Sequence, residues 1–114
     1  MKALFVELPA FEKHRGNYLD DAAFLELQIL LMANPEAGEV IEGTGGLRKL
    51  RFGDNRRGKG KRGGLRVIYF WWGEGLQYWL FTLYDKDEAV DLTPIQRKIL
   101  KEMIKAELKE RSKS

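Results

Sequence analysis

Residues Arg66 to Tyr84 read R-V-I-Y-F-W-W-G-E-G-L-Q-Y-W-L-F-T-L-Y, and this stretch decides the fold. Two aromatic and β-branched runs, Arg66 to Trp72 and Leu76 to Tyr84, flank Gly73-Glu74-Gly75. Such residues fit a pleated, half-buried surface, and the glycines supply a turn, so the segment predicts a β-hairpin. Upstream, Leu47 to Phe52 alternates, with Leu47, Lys49 and Arg51 on one face and Arg48, Leu50 and Phe52 on the other. Gly43-Thr44-Gly45-Gly46 reads as the turn leading into it. Three strands this close in sequence are expected to form an antiparallel meander.

Working outward, Ala3 to Glu7 is a short apolar run, read as a first strand at the sheet edge. Pro9 follows, and Phe11 to Tyr18 suits a short helix. Asp20 or Asp21 is a good N-cap for a second helix, whose stripe is Ala23, Phe24, Leu27, Leu30 and Leu31 and whose end is Asn34-Pro35. At the other end Thr93, Pro94 and Gln96 make a capping box with proline at the first helical position. Ile95, Ile99, Leu100, Met103 and Leu108 are expected to form that helix's packing face. The predicted order is β-α-α-β-β-β-α. It describes an α+β chain with an antiparallel-dominated sheet of about four strands, an N-terminal helical hairpin and a C-terminal helix, the helices covering one face. Residues 1–114 read as a single domain with no repeat or linker, and Lys109 to Ser114 as a frayed tail.

Composition narrows the function. With no cysteine, there is no disulfide framework, thiol nucleophile or Cys-based zinc site, and one histidine excludes a His-rich metal site. No run approaches the roughly 20 apolar residues of a membrane helix. Glu7 and Glu12 interrupt the N-terminal segment, so it does not read as a signal peptide, and a cytoplasmic location is expected. The charge is unevenly placed. Between Arg48 and Arg66 nine basic residues stand against Asp54 alone, a net of +8; the whole chain carries +3, so the remainder carries −5. A focused cationic patch on an otherwise acidic domain points to a polyanion such as nucleic acid. Gly53 to Gly64, rich in Gly, Arg and Lys, reads as an exposed, mobile loop.

Three motifs in this order, Leu47-Arg-Lys-Leu-Arg51, Gly60-Lys-Arg-Gly-Gly-Leu-Arg-Val-Ile-Tyr69 and Leu83-Tyr-Asp-Lys-Asp-Glu88 before Asp91-Leu92-Thr93, resemble the RelE/HigB superfamily of type II toxins. The resemblance covers essentially the whole chain. It implies a ribosome-dependent messenger-RNA endonuclease that inhibits translation, with a cognate antitoxin protein and the mRNA-bearing ribosome as partners. It implies no metal and no small-molecule cofactor. Carried over by motif, the catalytic set is Lys49 and Arg51 on the strand entering the loop, Arg66 on the next strand and Lys86 after the last. Where some members carry a Tyr or His farther on, this chain has Leu92, and Tyr84 is the nearest substitute. Arg48, Arg56, Arg57, Lys59, Lys61 and Arg62 are the expected RNA- and ribosome-binding residues.

Such residues can cut RNA through its own 2′-hydroxyl, which attacks the adjacent phosphorus and leaves a cyclic phosphate. Preorganised cations stabilise the charged phosphorane, and an arginine fork suits its oxygen pairs. A lysine hemmed in by cations loses its proton more readily, so Lys49 can serve as the base. Arg66 would clamp the phosphate, and Lys86 or Arg51 would assist the leaving group. Two other functions share these features: a ParE-like inhibitor of DNA gyrase, and a non-catalytic RNA- or ribosome-binding module. Trp71, Trp72 and Trp79 read as core rather than base-stacking platforms, and His14 as a surface residue. Asp85, Asp87, Glu88 and Asp91 read as stabilisers of the last turn and of the following helix N-terminus.

Overall fold

The computed structural model describes residues 2–53, 64–88 and 92–112. Among them run β1 (Leu4–Glu7), α1 (Pro9–Tyr18), α2 (Asp21–Ala33), β2 (Glu39–Val40), β3 (Arg48–Phe52), β4 (Leu65–Trp72), β5 (Gln77–Asp85) and α3 (Pro94–Arg111). The fold is α+β, with three helices and one mixed five-stranded sheet of order β1-β5-β4-β3-β2. The predicted meander is present, since β3 pairs antiparallel with β4 and β4 with β5. β1 lies at the edge, parallel to β5.

Two expectations are corrected. The sheet has five strands, not about four, because Glu39–Val40 adds a short antiparallel edge against Arg48 and Lys49. Two residues carry no alternation pattern, so nothing in the sequence marked this strand. Nor do the helices share one face. α1 and α2 pack Phe11, Leu19, Ala23, Leu27 and Leu31 against Leu50, Leu65, Val67, Tyr69, Tyr78 and Leu80. α3 covers the opposite side, where Ile104, Leu100 and Leu108 meet Leu47, Ile68, Phe70 and Trp79. The sheet is thus apolar on both faces, as the continuous run in β4 requires. Each buried Leu, Ile or Val side chain is worth roughly 1.5–3 kcal/mol of transfer free energy.

Local chemistry sets the ends. Pro9 starts α1 at its first turn, and the Asp20 carboxylate caps α2 by accepting from the Ala23 amide at 2.8 Å. The Thr93–Gln96 capping box forms in both directions, at 2.9 and 3.2 Å. The packing face of α3 is rotated from the expected one: Ile104 is buried, while Ile95, Ile99 and Met103 are 73%, 55% and 52% exposed. The apolar residues of α3 span more of its circumference than the contact with the sheet, and the sheet takes the Leu100–Ile104–Leu108 row.

A register shift between Ile68 and Tyr69 leaves Phe81 as the extra residue of β5. Such a bulge bends the strand and redirects side chains. The tryptophans are core-packed as expected. Trp79 is fully buried, Trp72 lies 5.9 Å from it, and Trp71 lies 4.4 Å from Tyr78 on the other face. Two buried tyrosines tie α2 and the connection that follows it to the sheet. The Tyr78 hydroxyl donates to the Leu31 carbonyl; that of Tyr69 donates to Pro35 at 2.8 Å and accepts from the Gly38 amide at 3.0 Å. Burial raises both pKa values, that of Tyr78 to about 12, with Tyr69 adding to the rise at Tyr78.

Candidate functional site

The period of two along β3 places Lys49 and Arg51 on the face opposite Arg48, Leu50 and Phe52. Pairing then completes the arrangement. Arg51 stands opposite Arg66 on β4, and Arg66 opposite Tyr84 on β5. These three residues form one row across three strands, spaced roughly 5 Å apart. Lys49 stands in the adjacent row, opposite Ile68, which in turn faces Thr82. Lys49, Arg66 and Tyr84 are half-buried and Arg51 is exposed. Lys86 is exposed in the turn over 86–88 that follows β5, two residues beyond Tyr84.

The sheet therefore gathers Lys49, Arg51, Arg66 and Tyr84 on one face, with Lys86 at the same end. Arg48 is not among them. Its guanidinium lies on the other face, donates to the Gly38 carbonyl at 2.8 Å and to that of Glu36 at 3.4 Å, and pairs with the Glu36 carboxylate at 3.8 Å. It closes the connection from α2 to β2. Arg56, Arg57, Lys59, Lys61 and Arg62 lie outside the described residues.

Beside the row lies a cleft of about 780 Å³, within the usual range for a small-ligand site. Its floor is Ile68, Trp79, Phe81 and Thr82; Lys49 and Tyr84 stand where it meets the cationic row. α3 contributes Arg97, Leu100, Met103 and Glu107, and α1 contributes His14 and Tyr18. These walls are pinned. The Tyr18 hydroxyl donates to the Glu88 carboxylate at 2.8 and 2.9 Å, joining α1 to the turn after β5. Glu88 also accepts from the Asp85 amide at 3.1 Å, so this acid does stabilise the turn. Arg97 reaches the carbonyls of Leu92 and Glu42, both at 3.2 Å, and anchors the first turns of α3.

His14 departs from its sequence reading. It is half-buried and lines the same cleft as Lys49 and Tyr84. The signal available was its spacing: His14 and Tyr18 are four residues apart on α1 and share one face. No protein-family model matches the chain. Among the described residues no helix is long and apolar enough to cross a membrane.

Proposed function

We propose that this chain is a RelE/HigB-type toxin, a ribosome-dependent endoribonuclease that cuts messenger RNA by metal-independent attack of a 2′-hydroxyl on its neighbouring phosphorus. The observation that carries the reading is the row Arg51–Arg66–Tyr84 with Lys49 beside it. Like charges directly opposed across strands cost stability, so two arginines in register suit an anion seated between them. A phosphodiester passing to a phosphorane is such an anion. Arg51 and Arg66 set two guanidinium charges beside its oxygens, Arg66 being held by the carbonyls of Gly64 and Leu65 at 3.4 and 3.5 Å, and Lys49 and Tyr84 stand beside them for proton transfer or for stabilising the leaving oxygen. Lys86 extends the positive field at the same end of the sheet.

Positioning of the in-line geometry supplies on the order of 7–11 kcal/mol in well-oriented reactions. The ribosome supplies that positioning by holding the message, and the basic segment with Arg56, Arg57, Lys59, Lys61 and Arg62 supplies phosphate contacts. The RelE-like assignment of the fold, the antitoxin partner and the cytoplasmic location all belong to this proposal. The antitoxin covers or distorts the cationic face, and an acidic segment serves that role.

Induction of the chain in bacteria, with mapping of messenger-RNA 5′ ends and of DNA supercoiling, tests the proposal. In-frame cuts within translated codons are expected. Gyrase-linked DNA breaks without such cuts would transfer the protein to the ParE-like class. Neither signal, together with ribosome binding, would leave a non-catalytic RNA-binding module.

A further inference from the structure

We infer that His14 is the proton-accepting catalytic residue of the candidate nuclease site, an inference that rests on the nuclease reading above. Seven ionisable side chains line the cleft: His14 and Tyr18 from α1, Lys49 from β3, Tyr84 from β5, Glu88 from the following turn, and Arg97 and Glu107 from α3. Most are committed. Tyr18 and Glu88 bond each other, Arg97 holds two backbone carbonyls, and Glu107 accepts from Arg111 at 2.7 Å. Lys49 and Tyr84 make interactions of their own. His14 has neither a hydrogen bond nor an ion pair within the described structure, so both ring nitrogens remain open to a bound molecule. The Tyr18–Glu88 contact one helical turn away joins α1, and with it His14, to the turn after β5.

Histidine is the side chain suited to giving and taking a proton near neutral pH. The members of the row, and Lys49 beside it, are cations or a phenol, fitted to charge stabilisation rather than to proton removal. With the phosphate on Arg51 and Arg66, the ribose side of the scissile bond extends into the cleft toward α1. The 2′-oxygen then forms its bond to phosphorus, the P–O5′ bond breaks, and the 5′-oxygen leaves with the electron pair. Neutral His14 takes the 2′-hydroxyl proton, the Lys49 ammonium protonates the leaving oxygen, and solvent returns a proton from His14 to Lys49. The products are a 2′,3′-cyclic phosphate and a 5′-hydroxyl. Lys49 thereby becomes the acid rather than the base.

The test is single-turnover cleavage of mRNA on programmed ribosomes by the wild-type chain, His14→Asn and His14→Ala, across about pH 5 to 9, with circular dichroism confirming the fold. Loss of base catalysis is expected to slow cleavage by roughly 10² or more. The acidic limb of the pH–rate profile should disappear in His14→Asn, and added imidazole should restore part of the rate to His14→Ala alone. Wild-type rates and profile in His14→Asn would overturn the inference while leaving the nuclease reading intact. A slower variant with an unchanged pH profile and no imidazole rescue would assign His14 a structural role and overturn it equally. A wild-type chain that cuts no message on the ribosome would overturn both.

Discussion

Arg51 lies directly opposite Arg66 across the β3–β4 ladder, so two adjacent strands present their guanidinium groups at one place on one face. Cross-strand partners interact strongly enough that opposed like charges are a cost to folding, of roughly 0.2–1 kcal/mol. That cost is offset whenever an anion binds there. Arg51→Thr is therefore expected to stabilise the folded chain by a few tenths of a kcal/mol at low salt, with the gain vanishing as ionic strength rises. Thermal unfolding at two salt concentrations checks this. On the proposed nuclease reading, the same variant should slow message cleavage by at least tenfold, so that stability and activity diverge at this pair.

Arg48 and Arg51, three residues apart, are expected to behave in opposite ways. Arg48 holds backbone carbonyls of Gly38 and Glu36 from the far side of the sheet. Hydrogen bonds to charged groups contribute about 1.5–3 kcal/mol, so Arg48→Ala should lower stability by that order. On the proposed nuclease reading, cleavage per folded molecule and the salt dependence of RNA binding should stay near wild type. A large loss of RNA affinity in well-folded Arg48→Ala would contradict the structural role.

Gly38 has no room for a methyl group. A Cβ there would lie 2.9 Å from the Tyr69 ring and 3.0 Å from the backbone of Lys49. Because the Lys49 backbone belongs to a paired strand, it cannot move aside cheaply. Gly38→Ala should cost about 1–3 kcal/mol, the range for overpacking, read as a lower urea midpoint at unchanged slope.

Alkaline pH should loosen the sheet–α2 contact. The Tyr78 hydroxyl titrates at about 12 in the folded chain against an ordinary 10.0, because burial disfavours the phenolate. The folded state thus holds a proton that the unfolded state releases. The contribution of this group is level below about pH 10 and falls by about 1.4 kcal/mol for each pH unit between the two values. Tyr69, raised by burial in the same sense, adds to the slope. Tyr78→Phe should flatten part of this decline while costing about 1 kcal/mol at neutral pH, since the Leu31 carbonyl loses its donor. Urea midpoints from pH 8 upward measure both effects.

Much of the fold was legible because local chemistry and global architecture agree. The Arg66–Tyr84 segment could only be a hairpin, and Thr93, Pro94 and Gln96 marked the start of α3 with its capping box. Lys49 and Arg51 were legible as same-face neighbours from strand alternation alone. What escaped lies in elements too short or too ambiguous to carry a period. β2 has two residues. The few apolar residues of α3 are spread around more than one side of a largely charged helix, so periodicity did not select Ile104 over Ile95. His14 was read apart from the cluster because 35 positions separate it from Lys49 in the chain.

The sequence by itself determined the α+β class, the meander, the caps that start α2 and α3, and the concentration of cations between Arg48 and Arg66. Each depends on neighbours within a few residues, through side-chain alternation, turn glycines and capping hydroxyls. Only the tertiary structure decided that Arg51 meets Arg66 and Tyr84 in one row, that Arg48 faces away to hold a loop, and that α3 takes the face opposite α1 and α2. Those outcomes rest on strand register and on which face each helix buries. Both are chosen by packing across the whole sheet, which no local pattern encodes.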